Sequence, residues 1–237
     1  MENSSIITEP LGESGWLVHL PNENAAIQFS NYICNINLNY INEIIPAYTS
    51  VAVLFHHDAE TSEAIDAEIK TVINNFQFCS YENNSDISQL LEVPVIYDGA
   101  DLDLVARVAN LSVNDLVSWH CAADYRVFAV GFQPGFPYCG YLPERIAGIP
   151  RRSSPRTSVP AGSVAIAGQQ TGIYPQTSPG GWNLLGRTDL ELVDLDRGFF
   201  RFAPGDMIRF VPQAGGILPE AGLIEEYRGK LVEGSSR

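Results

Sequence analysis

Apolar positions alternate weakly over residues 6–20, where Ile6, Trp16, Val18 and Leu20 predict an opening strand or hairpin that closes in a turn at Pro21–Asn24. From Ala25 to Asn42 the spacing changes. Ala26, Ile27, Tyr32, Ile33, Ile36, Leu38 and Ile41 recur nearer the helical period. Val51–Phe55 reads as a strand. A helix capped by Thr61 follows to about Asn74, with Ile65, Ile69, Val72 and Ile73 along one face. Residues 80–91 are polar and turn-rich, which sets a domain boundary near Glu92. The expectation is a small α+β domain over 1–92 and a second domain over 93–237.

The second half is patterned differently. Val93–Tyr97 reads as an edge strand with its proline near the start. Asp101–Ala109 is a short helix, and Ser112 with Asp115 forms a capping box that opens another helix through about Ala122. Val127–Val130 is a strand that delivers the chain to Gly131. Between Gly131 and Thr188 lie ten of the 20 glycines and eight of the 15 prolines, which excludes long helices. Within that stretch Ser163–Ala167 has the small and branched residues of a strand buried on both faces. Leu190–Leu195, Phe199–Phe202 and Met207–Val211 are strands separated by turns, and the tail from Gly234 frays. Strand–helix alternation followed by many short strands predicts an α+β unit and then a β-barrel.

Charge sharpens the picture. Of 28 acidic residues, residues 1–120 hold 17, against only Lys70 and Arg107 of the 14 basic ones. The glycine- and proline-rich stretch is thus a locally basic island on a chain of net charge −14, suited to a small anion and unsuited to nucleic acid or an anionic membrane. The arginines could equally pair with acidic side chains. With no 18-residue apolar run and no leader-like N-terminus, a cytoplasmic protein is expected. Cys34, Cys79, Cys121 and Cys139 lack metal or redox spacing and read as reduced core thiols, Cys139 alone lying in the candidate stretch. The adjacent His56 and His57 would point to opposite faces of a strand, so no metal site is expected there.

The candidate chemistry lies in the loops. There is no phosphate loop, dinucleotide fingerprint, nucleophile elbow or HExxH motif. Arg151, Arg152 and Arg156 offer forked donors for carboxylate or phosphate. Gln169, Gln170, Thr171, Tyr174, Ser178 and Asn183 add neutral hydrogen-bonding groups. One pocket is expected, lined by Arg152, Arg156, the backbone of Gly135 and Phe136, Gln169 and Thr171, with His120 near its rim as the acid/base candidate. The other reading of His120 is a hydrogen-bonded histidine beneath the barrel. Trp182 either stacks on a planar ligand or plugs the barrel end.

These residues also carry a resemblance. GFQPGFPY at Gly131–Tyr138, PRTSVPAGSVAIAGQQTGIYP at Pro155–Pro175 and SPGGWNLLGRT at Ser178–Thr188 resemble the family of B-type 5-oxoprolinase subunits, over nearly the whole chain. That carboxyltransferase-domain family also includes proteins like the first subunit of allophanate hydrolase and a sporulation-kinase inhibitor. The resemblance implies a small α+β domain joined to a cyclophilin-like β-barrel, and a hetero-oligomer with C-type and A-type 5-oxoprolinase subunits as partners. It also implies ATP, with magnesium as its counter-ion, and conversion of 5-oxo-L-proline to L-glutamate. This chain would take part in the lactam-phosphorylating step and be inactive alone. The competing function it suggests is non-enzymatic, inhibition of a sensor histidine kinase.

Overall fold

The computed structural model describes residues 6–13, 15–56, 63–76 and 90–234. The chain divides into two compact units, Met1–Asp86 and Ile87–Arg237.

In the first unit β1 (Ile7–Pro10), β2 (Gly15–His19), β3 (Ile41–Ala47) and β4 (Ser50–Phe55) form an antiparallel sheet in the order β1-β2-β4-β3. Helices α1 (Glu23–Ile36) and α2 (Glu63–Asn75) bury Phe29, Ile33, Ile69 and Val72 in the same core as Trp16, Val18, Val51 and Val53. The hairpin at 6–20 is present. Residues 21–24 are not the expected turn, because the Asn22 side chain accepts the Ala25 N–H at 2.9 Å and so caps α1. Asn37, left-handed at φ 53°, ends that helix. Strand β3 was not foreseen, since its polar Asn42 and Glu43 break the alternation. Thr61, His57, Cys79 and most of the polar 80–91 stretch lie outside the described residues.

The second unit opens with β5 (Leu90–Val95), α3 (Leu102–Ala109) and α4 (Val113–Ala122). Strands β6 (Tyr125–Val130), β7 (Pro137–Gly140), β8 (Arg156–Val159), β9 (Ser163–Ala167) and β10 (Gln170–Ile173) follow. Then come β11 (Ser178–Gly180), β12 (Asn183–Arg187), β13 (Val193–Asp194), β14 (Phe199–Phe200), β15 (Met207–Pro212) and helix α5 (Leu223–Gly234). Seven strands form one sheet in the order β12-β9-β10-β7-β6-β15-β5. Its ends meet. Ile96, just past β5, exchanges both backbone hydrogen bonds with Arg187 of β12, at 2.8 and 3.0 Å, so the sheet is nearly closed into a barrel. Leu90 and Leu91 already pair with Met207 and Ile208, so the second unit begins before the composition break at Glu92.

The sheet separates two apolar clusters by strand alternation. Its core face carries Val127, Cys139, Val164, Ile166, Ile173, Leu185 and Phe210, packed with α3, α4 and Tyr227 of α5. The far face of β7, β9, β10 and β12 carries Phe136, Ala165, Ala167, Tyr174, Trp182 and Leu184. The expected strand at Leu190–Leu195 shrinks to the two residues of β13. Helix α5 was not expected, although Leu223, Tyr227 and Leu231 recur every four residues. Cys121 and Cys139 are buried as expected, but Cys34 is exposed.

Candidate functional site

Asp101 opens α3, yet its side chain does not cap that helix. It is 2% exposed and spends its carboxylate elsewhere. Oδ1 accepts from Arg152 Nη1 at 2.8 Å and from Arg156 Nη2 at 2.9 Å. Oδ2 accepts from Arg156 Nη1 and from the Leu184 backbone N–H, both at 2.8 Å. Burial pushes this carboxyl upward, but the hydrogen bonds from Arg156 and Leu184 and the charges of Arg156 and Arg152 outweigh it and hold its pKa below the usual carboxylate value. The backbone of Asp101 also donates to Leu184 O at 3.1 Å, so the start of α3 is stitched to β12. Arg156 is therefore held by a two-pronged contact and Arg152 by a single one.

The segment before β8 is fixed from the same side. Asn183 Nδ2 donates to Pro150 O at 2.9 Å, and Arg152 N–H donates to Gly181 O at 2.8 Å. Between this segment and α3 lies an open depression of about 290 Å³, walled by Leu104, Val108, Ile149 and Pro150 and by Arg151, Arg152, Ser153, Ser154 and Asn183. Arg152 Nε is buried there without a hydrogen-bond partner among the described residues. The Arg151 guanidinium lies over Trp182 at 5.9 Å from the ring centroid, which joins the depression to the aromatic far face. Phe136 packs edge-on to Tyr174 at 5.1 Å and to Trp182 at 5.4 Å, beside Tyr138 at 4.9 Å.

His120 is not at a rim. It is fully buried on the core face, stacked on Phe210 at 4.4 Å, with Nδ1 2.7 Å from the Tyr97 hydroxyl and Nε2 2.9 Å from Thr171 Oγ1. Burial lowers its pKa to about 3, so it is neutral at pH 7. The reading of a hydrogen-bonded histidine beneath the barrel is the one the structure bears out. Successive residues of β10 point to opposite faces, so Thr171 joins His120 while Tyr174, three positions on, lies with Phe136 and Trp182. Trp182 is buried in that aromatic cluster. Gln169 is exposed in the turn between β9 and β10, and Gly135, at φ 82°, packs on Val193.

The expected single pocket thus resolves into separate places. Arg152 lines the depression, Arg156 stands on Asp101 outside its walls, and His120 with Thr171 is fully buried in the core, away from it. Sequence reading missed Asp101, which is 51 and 55 residues from its arginines. It also missed Leu104 and Val108, whose signal was two apolar residues four apart on the exposed side of a predicted helix.

Residues 6–200 match the family model for the carboxyltransferase domain, subdomain C and D. The B-type 5-oxoprolinase subunit of Escherichia coli O157:H7 is 50% identical over 134 residues, which make up 55% of this chain and 61% of that protein. Its namesake in Bacillus subtilis (strain 168) is 38% identical over 180 residues, 71% of this chain and 74% of that one. Among solved structures, TTHA0988 superposes with a TM-score of 0.74 at 31% identity, over 87% of this chain and 41% of its own. The urea amidolyase of K. lactis shares the fold, with a TM-score of 0.70 at 17% identity, over 98% of this chain and 17% of the other. The chain therefore spans about three fifths of the first of these proteins and two fifths of the first of these structures.

Proposed function

The chain belongs to the family of B-type 5-oxoprolinase subunits, and from that premise we propose that it is one component of an ATP-dependent 5-oxoprolinase, acting with A-type and C-type partners in the lactam-phosphorylating step. The observation that carries this reading is the depression beside Asp101, where an ordered guanidinium faces an open, partly apolar cavity. An unstrained lactam is a poor electrophile. Transfer of the terminal phosphoryl group to its carbonyl oxygen forms a P–O bond there and breaks the bond to the bridging oxygen, leaving ADP. The resulting imidoyl phosphate is open to water. Such a step depends on positioning and on cations near the transferring oxygens, and needs little covalent participation by protein.

The residues present fit an anion. Arg151 and Arg152 would hold phosphate or carboxylate oxygens, Ser153 and Ser154 would add hydroxyl donors, and Leu104 and Val108 offer an apolar wall. Both Asp101 oxygens are already engaged by donors, so a magnesium ion accompanying the nucleotide would take its ligands from phosphate and water. His120, buried and already bonded at both nitrogens, supplies no base to this cavity, which suits a site completed by a partner protein.

The test is reconstitution. The purified chain alone should release no ADP in response to 5-oxo-L-proline, and adding the two partners should restore release. Arg209→Ala, which breaks an exposed pair with Asp124, should leave that rate unchanged, and Arg152→Ala should lower it about tenfold or more. Turnover by the lone chain, or none with the partners present, would overturn the reading.

A further inference from the structure

The two arginines on Asp101 are not equivalent. Arg156 commits both Nη1 and Nη2 to the carboxylate, and it is absent from the walls of the depression. Arg152 commits Nη1 alone and lines the cavity, with Arg151 beside it. Asp101 carries one negative charge and would, facing Arg152 alone, cancel its field at the distances involved.

We infer that Arg156 is a positioning residue that touches no ligand: by occupying both oxygens of Asp101 it neutralises that carboxylate and leaves Arg152 a net cation, oriented toward an anionic group in the depression. The inference rests on the proposed handling of an anion at this site. It deepens that reading by dividing the two arginines on Asp101 into a ligand-facing cation, Arg152, and a member of a neutral ion pair that aims it, with Arg151 a further cation on the cavity wall. The arrangement resolves two needs that conflict in a lone arginine. A carboxylate is required to fix the long side chain, yet the same carboxylate would repel the ligand unless a second cation cancels it.

Charge bookkeeping makes the role separable from simple scaffolding. Affinity for inorganic tripolyphosphate is measured by calorimetry on the full chain, at a temperature where melting curves show each variant folded. Arg152→Gln should lose about tenfold or more, and Arg156→Gln about tenfold, because Asp101 then neutralises Arg152. Arg156→Lys keeps the cancelling charge without the fork and should stay within about threefold of the unaltered protein. The decisive variant is the double substitution Asp101→Asn with Arg156→Gln, which restores the original local charge and should bind more tightly than Arg156→Gln alone. A scaffolding role predicts the reverse, since two anchors are then lost. The inference is overturned if the Lys and Gln variants at Arg156 bind alike, if the double substitution recovers nothing, or if the unaltered chain binds no tripolyphosphate. Should the double variant not fold, the comparison of Lys with Gln decides. Failure of the reconstituted complex to hydrolyse ATP with 5-oxo-L-proline, while this affinity pattern holds, would count against the reaction and leave the role of Arg156 standing.

Discussion

His120 Nε2 lies 2.9 Å from Thr171 Oγ1, and the partners of Thr171 fix the imidazole tautomer. The Thr171 hydroxyl donates its proton to Ala165 O, so it accepts from Nε2–H. Nδ1 is then the acceptor of the Tyr97 hydroxyl, which in turn accepts from the Cys121 thiol at 3.2 Å. The donors run in one direction from Cys121 to a backbone carbonyl. A second proton on the ring would reverse part of that run, with Tyr97 accepting from Nδ1–H and donating to Cys121 Sγ, while placing a charge in a buried site.

A pH dependence of stability follows. The folded-state pKa of His120 is depressed to about 3, below its unfolded value near 6.5, so in that interval the unfolded chain binds a proton that the native one does not. Its contribution is complete above about pH 6.5 and is lost as the pH falls through 6.5 toward 3, at up to about 1.4 kcal/mol per pH unit. Asp101 and Asp115, held below the usual 3.8, erode stability only at the acid end of that range. Urea unfolding of the intact protein should therefore weaken steadily between pH 6.5 and 4, and His120→Gln, less stable at pH 7, should show a flatter profile there. Parallel profiles would refute the assignment.

Asp115 is predicted to matter beyond its cap. It accepts from Ser112 Oγ at 2.6 Å in the capping box, and its other oxygen accepts from the Tyr227 hydroxyl of α5, also at 2.6 Å. Ser112→Ala should cost about 1 kcal/mol. Asp115→Ala should cost about 2 kcal/mol, since it loses the cap and the tie to α5 together. Tyr227→Phe added to Asp115→Ala should cost less than it does alone, and additive losses in a double-mutant cycle would show the two contacts to be independent.

What the sequence made legible was local. The capping box at Ser112 and Asp115 and the wholly buried strand at Ser163–Ala167 are written in neighbouring residues, and both stand where they were expected. The start of α3 was legible, but the destination of the Asp101 carboxylate was not. Its arginines arrive from β8 and the segment before it only once the barrel closes. Likewise, loop composition gathered Thr171 and Phe136 into one pocket, whereas the period of two along β10 sends Thr171 to the core face and leaves Phe136 on the other. Applying that alternation to Thr171 and Tyr174 would have separated them. For α5, the signal at Leu223, Tyr227 and Leu231 was present but interrupted by Gly229.

Closure of the barrel depends on a missing side chain. A Cβ on Gly186 would lie 2.4 Å from Ile96 O and 3.0 Å from Tyr97 Cα, against the Ile96–Arg187 bridge that joins the sheet's ends. Gly186→Ala should destabilise the second unit by about 3 kcal/mol or more, and amide exchange at Ile96 and Arg187 should accelerate ahead of the rest. Uniform exchange across the sheet, with unchanged stability, would mean that the bridge contributes little.

Gly172 tests how the far face is built. A Cβ there would stand 2.7 Å from Pro137 O and 3.0 Å from two atoms of the Phe136 ring, so Phe136 lies directly on the glycine and props Tyr174 and Trp182 edge-on around it. Gly172→Ala should cost about 2 kcal/mol and alter the near-ultraviolet dichroism, because the ring must leave its place. Gly148→Ala is the control. Its Cβ would meet nothing within 4 Å, so only the positive φ of 80° opposes it, at about 1 kcal/mol and with no change in the aromatic signal. Phe136→Leu combined with Gly172→Ala should recover part of the loss, since the smaller side chain yields the space the new methyl needs. If the double variant is less stable than Gly172→Ala alone, the clash lies with the Pro137 carbonyl, and the ring is not what holds this position to glycine.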